Sequence, residues 1–180
     1  MATLIIMAGL PGVGKTYTGK LIYNKIISHF KSYFFDSDKF AKKHLTGKLT
    51  DEVRFKFYIK KMNAVEALLK SYNVVIMDAV FDKNNLRKLF YEMIKKIGGK
   101  LIIIEVIAPY NLTKTRIEND PSKARLGTPS SRWIMHKKMK SGWEPIRLPI
   151  FSKFIKYYKI NSGKDVNLQV DKILSKEKLI

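Results

Sequence analysis

Gly9-Leu10-Pro11-Gly12-Val13-Gly14-Lys15-Thr16 follows the spacing Gly-x4-Gly-Lys-Thr, in which each residue type has a mechanical duty at a phosphate. The glycines let successive backbone N–H groups curl around phosphate oxygens. The lysine meets the charge of the β- and γ-phosphates, and the hydroxyl one residue later can ligate Mg²⁺. The expected ligand is therefore ATP with Mg²⁺. It would be held by residues 9–16 with Tyr17 beside them, Lys15 acting as a catalytic cation and Thr16 as a metal ligand.

Phosphoryl transfer also needs carboxylates, for the metal and for the group that receives the phosphate. Asp36-Ser37-Asp38 is a first source. In an extended segment side chains alternate, so these two acids would share one side. One would help hold Mg²⁺ and the other meet an acceptor hydroxyl as a base; we favour Asp36 for the metal and Asp38 for the acceptor. Either could instead cap a helix starting near Lys39, a common duty of aspartate. Asp78 closes the apolar run Val74-Val75-Ile76-Met77 and is a second candidate for the metal or its water shell. Spacing leaves the choice between Asp36 and Asp78 open.

A positive side chain closing over ATP would offset charge developing on the transferred group. Arg116, Arg125 and Arg132 are the candidates. Arg125 comes first, as a catalytic residue, because Gly127 and Pro129 suggest a loop just after it. His29, His44 and His136 are scattered without metal-ligand spacing. Trp133, Trp143 and Tyr110 read as packing residues rather than as base-stacking platforms.

These residues must be positioned by elements, and the hydrophobic pattern supplies them. The short apolar run 4–8 reads as a strand buried on both faces, not as a secretion signal. It feeds the glycine-rich turn and then a helix carrying Leu21, Ile22, Ile26 and Phe30. Tyr33-Phe34-Phe35 suggests a second strand ending at Asp36. Tyr58, Met62, Val65, Leu69 and Tyr72 mark a helix ahead of the strand 74–77, and Leu86, Leu89, Phe90, Met93, Ile94 and Ile97 mark another, stopped by Gly98-Gly99. A fourth strand is expected at 101–107. Helices follow around 112–118 and 131–140, then a fifth strand at 157–160 and a closing helix with Val166, Val170, Ile173 and Leu174. Such alternation predicts an α/β chain with a five-stranded parallel sheet between helical layers, in one domain over 1–180 with a helical lid inserted at about 109–142. Ligands of such sheets bind at the carboxyl ends of the strands, where the phosphate loop, Asp36, Asp38 and Asp78 all fall.

The absence of cysteine excludes disulfides and thiolate metal sites and points to a reducing interior, with the cytoplasm as the expected compartment. No apolar run approaches the length that spans a bilayer, so no membrane association is expected. The chain carries 35 Lys and Arg against 15 Asp and Glu, a net charge of +20. That surplus should attract a polyanion. Arg125, Arg132, Lys137, Lys138 and Lys140 would form one basic wall, with Lys39, Lys42 and Lys43 on the other side of the site.

With these residues in view, the sequence resembles the P-loop kinase group that contains the zeta toxins, the phage-type polynucleotide kinases and many small predicted kinases. The shared pieces are the phosphate loop, Ser37-Asp38, Val74-Val75-Ile76-Met77-Asp78-Ala79 with Arg87, and then Arg116 and Arg125. The resemblance implies a P-loop NTPase fold of three α/β/α layers. It further implies that Asp38 is the general base, that Asp78 and Arg87 lie with it around the substrate, and that Arg125 is the lid arginine. Asp36-Ser37-Asp38 is also similar to the Asp-Ser-Asp of shikimate kinases, where the first acid serves the metal and the second the substrate hydroxyl. The glycine triplet of those enzymes is replaced here by Asp78-Ala79-Val80. The expected function is transfer of the ATP γ-phosphate to a hydroxyl of a nucleic acid or nucleotide. A small-metabolite kinase and an ATP-binding switch with slow hydrolysis are the alternatives, and the oligomeric state is left open.

Overall fold

Thr3–Ala8 (β1) is buried at all six positions, which a strand achieves only with neighbours on both edges and helices over both faces. In the computed structural model, which describes residues 1–45, 50–120, 127–149 and 153–180, β1 pairs in parallel with Val74–Asp78 (β3) on one side and Lys100–Ile107 (β4) on the other. Ser32–Asp36 (β2) lies beyond β3, and Ile155–Asn161 (β5) beyond β4, both also parallel. The order is β2-β3-β1-β4-β5. The five expected strands are all present, with ends moved by a residue or two.

Alternation along β1 divides the core. Leu4, Ile6 and Ala8 pack with residues of Asp51–Leu69 (α3) and Asn84–Ile97 (α4) on one face. Ile5 and Met7 pack with residues of Lys15–Ile26 (α1) and Val166–Lys176 (α7) on the other. The result is the expected α/β/α arrangement. The helix α4 has its apolar stripe inward and ends at Gly98, as its sequence predicts. Between β4 and β5, the stretch expected as an insertion carries Tyr110–Glu118 (α5) and Pro129–Ser141 (α6). The side chain of Thr128 caps α6, with Pro129 in its first turn, where a missing N–H is harmless. No helix among the described residues is long and apolar enough to cross a membrane.

One element departs from expectation. Ser37–His44 (α2) starts directly after β2, so Asp36-Ser37-Asp38 is not extended. The Asp36 carboxylate accepts the N–H groups of Asp38 and Lys39, both at 3.0 Å. These are two of the donors that a helix start leaves unsatisfied, so the acid itself ends the strand and starts the helix.

The loop after β3 is tied down by a buried ion pair. Asp82 is 2 % exposed and receives both nitrogens of the Arg54 fork from α3. Burial and Asp82 act against one another on Arg54, and its pKa rises. Asp82→Ala should strand that guanidinium and cost about 3 kcal/mol, as loss of one partner of a buried pair does. Urea unfolding would measure it, and a loss under about 0.5 kcal/mol, the scale of an ordinary surface change, would show that the pair does not hold this loop.

Candidate active site

The phosphate loop joins β1 to α1 at the carboxyl edge of the sheet. A side chain at Gly9 would put its Cβ 2.4 Å from the Val106 carbonyl oxygen of β4, so only glycine lets the loop leave the sheet there. Gly14 caps α1 in the left-handed region, at φ 96°, a conformation glycine adopts without strain. The N-terminus of α1, where the first backbone N–H groups have no partner within the helix ladder to accept them, thereby follows directly on the loop and faces where phosphate would sit. Lys15 opens the helix, only 9 % exposed, and its ammonium donates to the Leu10 carbonyl across the loop at 3.0 Å. Tyr17, expected beside the nucleotide, is 61 % exposed.

Tertiary pairing decides which acid meets the loop. β3 lies between β2 and β1, and the Thr16 hydroxyl donates a hydrogen bond to the Asp78 carboxylate. Asp36 sits opposite Asp78 in the β2–β3 register, but its carboxylate is engaged with the start of α2. Asp78 thus takes the place beside Thr16 that we expected for Asp36, because β3 is the neighbour of β1 and β2 is not. A hydroxyl and a carboxylate are the hard oxygen donors that Mg²⁺ prefers, so the Thr16–Asp78 pair fits that ion. Asp38 stands in the first turn of α2, half-buried.

A residue that sequence reasoning missed joins this group. Lys61 of α3 is 6 % exposed, with its ammonium 4.6 Å from the ring centres of both Phe57 and Tyr58. Burial pushes its pKa down to about 8, Asp38 and Asp78 hold it up, and Arg54 lowers it further. The signal was present in the sequence, since position 61 falls three residues after Tyr58 and four before Val65, on the inward stripe of α3.

The helices of the insertion grip the loop through its carbonyls. Arg116 of α5 donates to the Val13 carbonyl and to the Ser162 hydroxyl and carbonyl. The Ser162 hydroxyl in turn donates to Val13 at 2.6 Å. His136 of α6 lies 2.9 Å from the Pro11 carbonyl through Nδ1, and burial lowers its pKa. Nothing in the spacing singled out Ser162, and His136 was read only as a scattered histidine. Trp133 stacks on His136 with centroids 4.9 Å apart and meets Tyr110 edge-on, so these rings pack on one another. Beneath α6 lies a cavity of about 260 Å³, lined among others by Gly9, Leu10, Tyr110, His136 and Trp143.

Two arginines stand elsewhere than expected. Arg87 does not join the substrate group: it is 1 % exposed, and its guanidinium donates to the carbonyls of Phe81, Glu144 and Pro145 and to the Asn84 side chain. It braces the start of α4 against residues 144–145. Arg132 is 9 % exposed and is tied to Asp120 by two bonds of 2.7 Å. Arg125 lies outside the described residues.

A family model described as "Chromatin associated protein KTI12" matches residues 1–162. No curated protein matches the chain. Among solved structures, the Mycobacterium tuberculosis APS kinase CysC in complex with AMPPNP and APS superposes with a TM-score of 0.73 at 12% identity, over 98% of each chain. Chaetomium thermophilum Kti12 in complex with ADP-AlF3 gives 0.70 at 15%, over 96% of this chain and 97% of that one. A gluconokinase from Sinorhizobium meliloti 1021 gives 0.60 at 15%, over 97% and 90%. At these identities the likeness shows the fold, that of the P-loop kinases and kinase-like nucleotide-binding proteins.

Proposed function

The chain belongs to the KTI12 family, and from that premise we propose that it is an ATP-dependent phosphotransferase acting on a hydroxyl of a nucleic acid or nucleotide. The observation that carries this reading is the Thr16–Asp78 contact at the foot of the phosphate loop, with Asp38 in the first turn of α2 and Lys61 held up by both acids. A nucleotide switch needs the loop and its metal pair. A kinase also needs an acid for the acceptor, and Asp38 supplies one whose carboxylate is not the cap of its helix.

In this mechanism the loop N–H groups and Lys15 hold the β- and γ-phosphate oxygens. Thr16 and Asp78 would hold Mg²⁺, which supplies positive charge against the phosphates. Asp38 accepts the proton of the acceptor hydroxyl as its oxygen bonds to the γ-phosphorus. The bond from that phosphorus to the bridging oxygen breaks, and ADP leaves with the electron pair. The role of Asp38 as base also follows the likeness to polynucleotide kinases. Residues 109–142 act as the lid; α5 and α6 already touch Pro11 and Val13 of the loop, and Arg125 is its catalytic arginine.

The acceptor class is supported by charge. Lys137, Lys138 and Lys140 are exposed on α6, and Lys39, Lys42 and Lys43 on α2, while Arg132 drops out of the basic wall because it is buried against Asp120. A family description of chromatin association is in keeping with a basic protein that meets nucleic acid. Incubation with γ-labelled ATP, Mg²⁺ and a panel of RNA, DNA, nucleosides and metabolites should label an oligonucleotide or nucleotide. Labelled sugar or another small metabolite would replace the acceptor class, and hydrolysis without any labelled product would replace transfer by a switch. Oligonucleotide affinity should fall with salt by a log–log slope of about 0.7 per single-strand phosphate contact. Salt-insensitive turnover with no retained oligonucleotide would remove the nucleic-acid acceptor.

A further inference from the structure

Lys61 is a buried cation with a peculiar set of neighbours. An ammonium has three donors and no acceptor, and among the described residues that of Lys61 makes no hydrogen bond or ion pair; its near contacts are the faces of Phe57 and Tyr58. Burial of a charged donor without a hydrogen-bond partner is costly. Two ring faces offset part of that, since a cation over an aromatic face is attracted by it. The charges facing it come from three elements: Asp38 on α2, Asp78 at the end of β3, and Arg54 on its own helix. Lys15, comparably buried, already has the Leu10 carbonyl as its partner.

The position of those charges says what is missing. Asp78 meets Thr16 at the foot of the phosphate loop, and in the proposed reaction Asp38 faces the acceptor. Lys61 lies at this same edge of the sheet: its ammonium sits over the Tyr58 ring, whose hydroxyl accepts the N–H of Phe81 just beyond β3, so a cation drawn by both acids faces a group passing from donor to acceptor. Its three donors require an oxygen-rich anion, and the anion that crosses this path is the phosphoryl group. We propose that Lys61 is a catalytic cation of the transfer step, donating from the acceptor side to the oxygens of the phosphoryl group while that group lies between ADP and the acceptor. Lys15 and the loop hold the same group from the ADP side. The inference rests on the phosphotransfer reading given above, and names a residue of α3 that lies outside the phosphate loop and the expected lid.

The test uses a ligand that does not depend on knowing the acceptor: ADP with Mg²⁺ and aluminium fluoride, which imitates the planar phosphoryl group in flight. Lys61→Met keeps the length and apolar stem of the side chain and removes the charge; Lys61→Arg restores a cation. The wild type and Lys61→Arg should trap ADP with fluoroaluminate. Lys61→Met should bind ADP alone within about twofold of wild type but hold the trapped complex about 10²-fold more weakly, the lower end of what losing one charge-stabilising donor costs. A structural role alone would lower the melting temperature and leave the ratio of trapped to plain ADP affinity unchanged. If Lys61→Met traps as tightly as wild type, the role of Lys61 is overturned and the phosphotransfer reading stands. If the wild type binds ADP and fails to trap it with fluoroaluminate, both fall together.

Discussion

Lys15→Ala is expected to abolish nucleotide turnover, by about 10³-fold or more, the scale on which loss of one preorganised charge partner of the reacting group acts. The ammonium lies across the loop on the Leu10 carbonyl, not in the apolar core, although the residue is only 9 % exposed. Its removal leaves an unpaired backbone carbonyl at a loop that ligand and water can reach. The fold should therefore persist, with a melting temperature within a few degrees of wild type. The measurement is turnover by the purified variant beside its thermal unfolding curve. Full turnover would remove the phosphate-loop reading, whereas an unfolded variant would show that Lys15 is a structural residue. A nucleotide-soaked crystal should show phosphate oxygens within hydrogen-bond reach of the backbone N–H groups of residues 12–16.

Asp38→Asn should retain ATP binding and lose transfer by roughly 10²-fold or more, the contribution of a general base. The substitution is nearly isosteric, and the cap of α2 belongs to Asp36, so the helix keeps its start. Separate measurement of nucleotide affinity and of the single-turnover rate distinguishes the effects, since a base is needed only once the acceptor is in place. Turnover within a few-fold of wild type would exclude Asp38 as the base. Asp78 would then be the remaining acid of the site, and its bond with Thr16 would have to be read as acceptor-side rather than as a metal pair.

The fold was largely legible because its signals are local. The apolar run of β1, the stripe of α4 and the glycine spacing of the phosphate loop each depend on residues within one or two turns of one another. Even the stop at Gly98 is local, since it lies at the αL position that closes the last turn of α4. The error at Asp36-Ser37-Asp38 was local too. Alternation and capping compete for the same three residues, and the hydrogen bonds from Asp38 and Lys39 to Asp36 decide for the helix.

The candidate site was less legible, since it is an assembly of distant segments. The sequence by itself determined that a phosphate loop sits between a buried strand and a helix, and that acids follow the second and third strands. Only the tertiary structure decided that Asp78, not Asp36, meets Thr16, because that depends on β3 lying beside β1, a pairing between residues more than sixty positions apart. It also took Arg87 and Arg132 out of the site by burying them against carbonyls and Asp120, and brought Lys61 in by turning an inward stripe of α3 toward the same edge. A charged side chain in a sequence reads as solvent-facing by default; whether it is buried, and beside which partner, depends on non-local packing that no local pattern encodes.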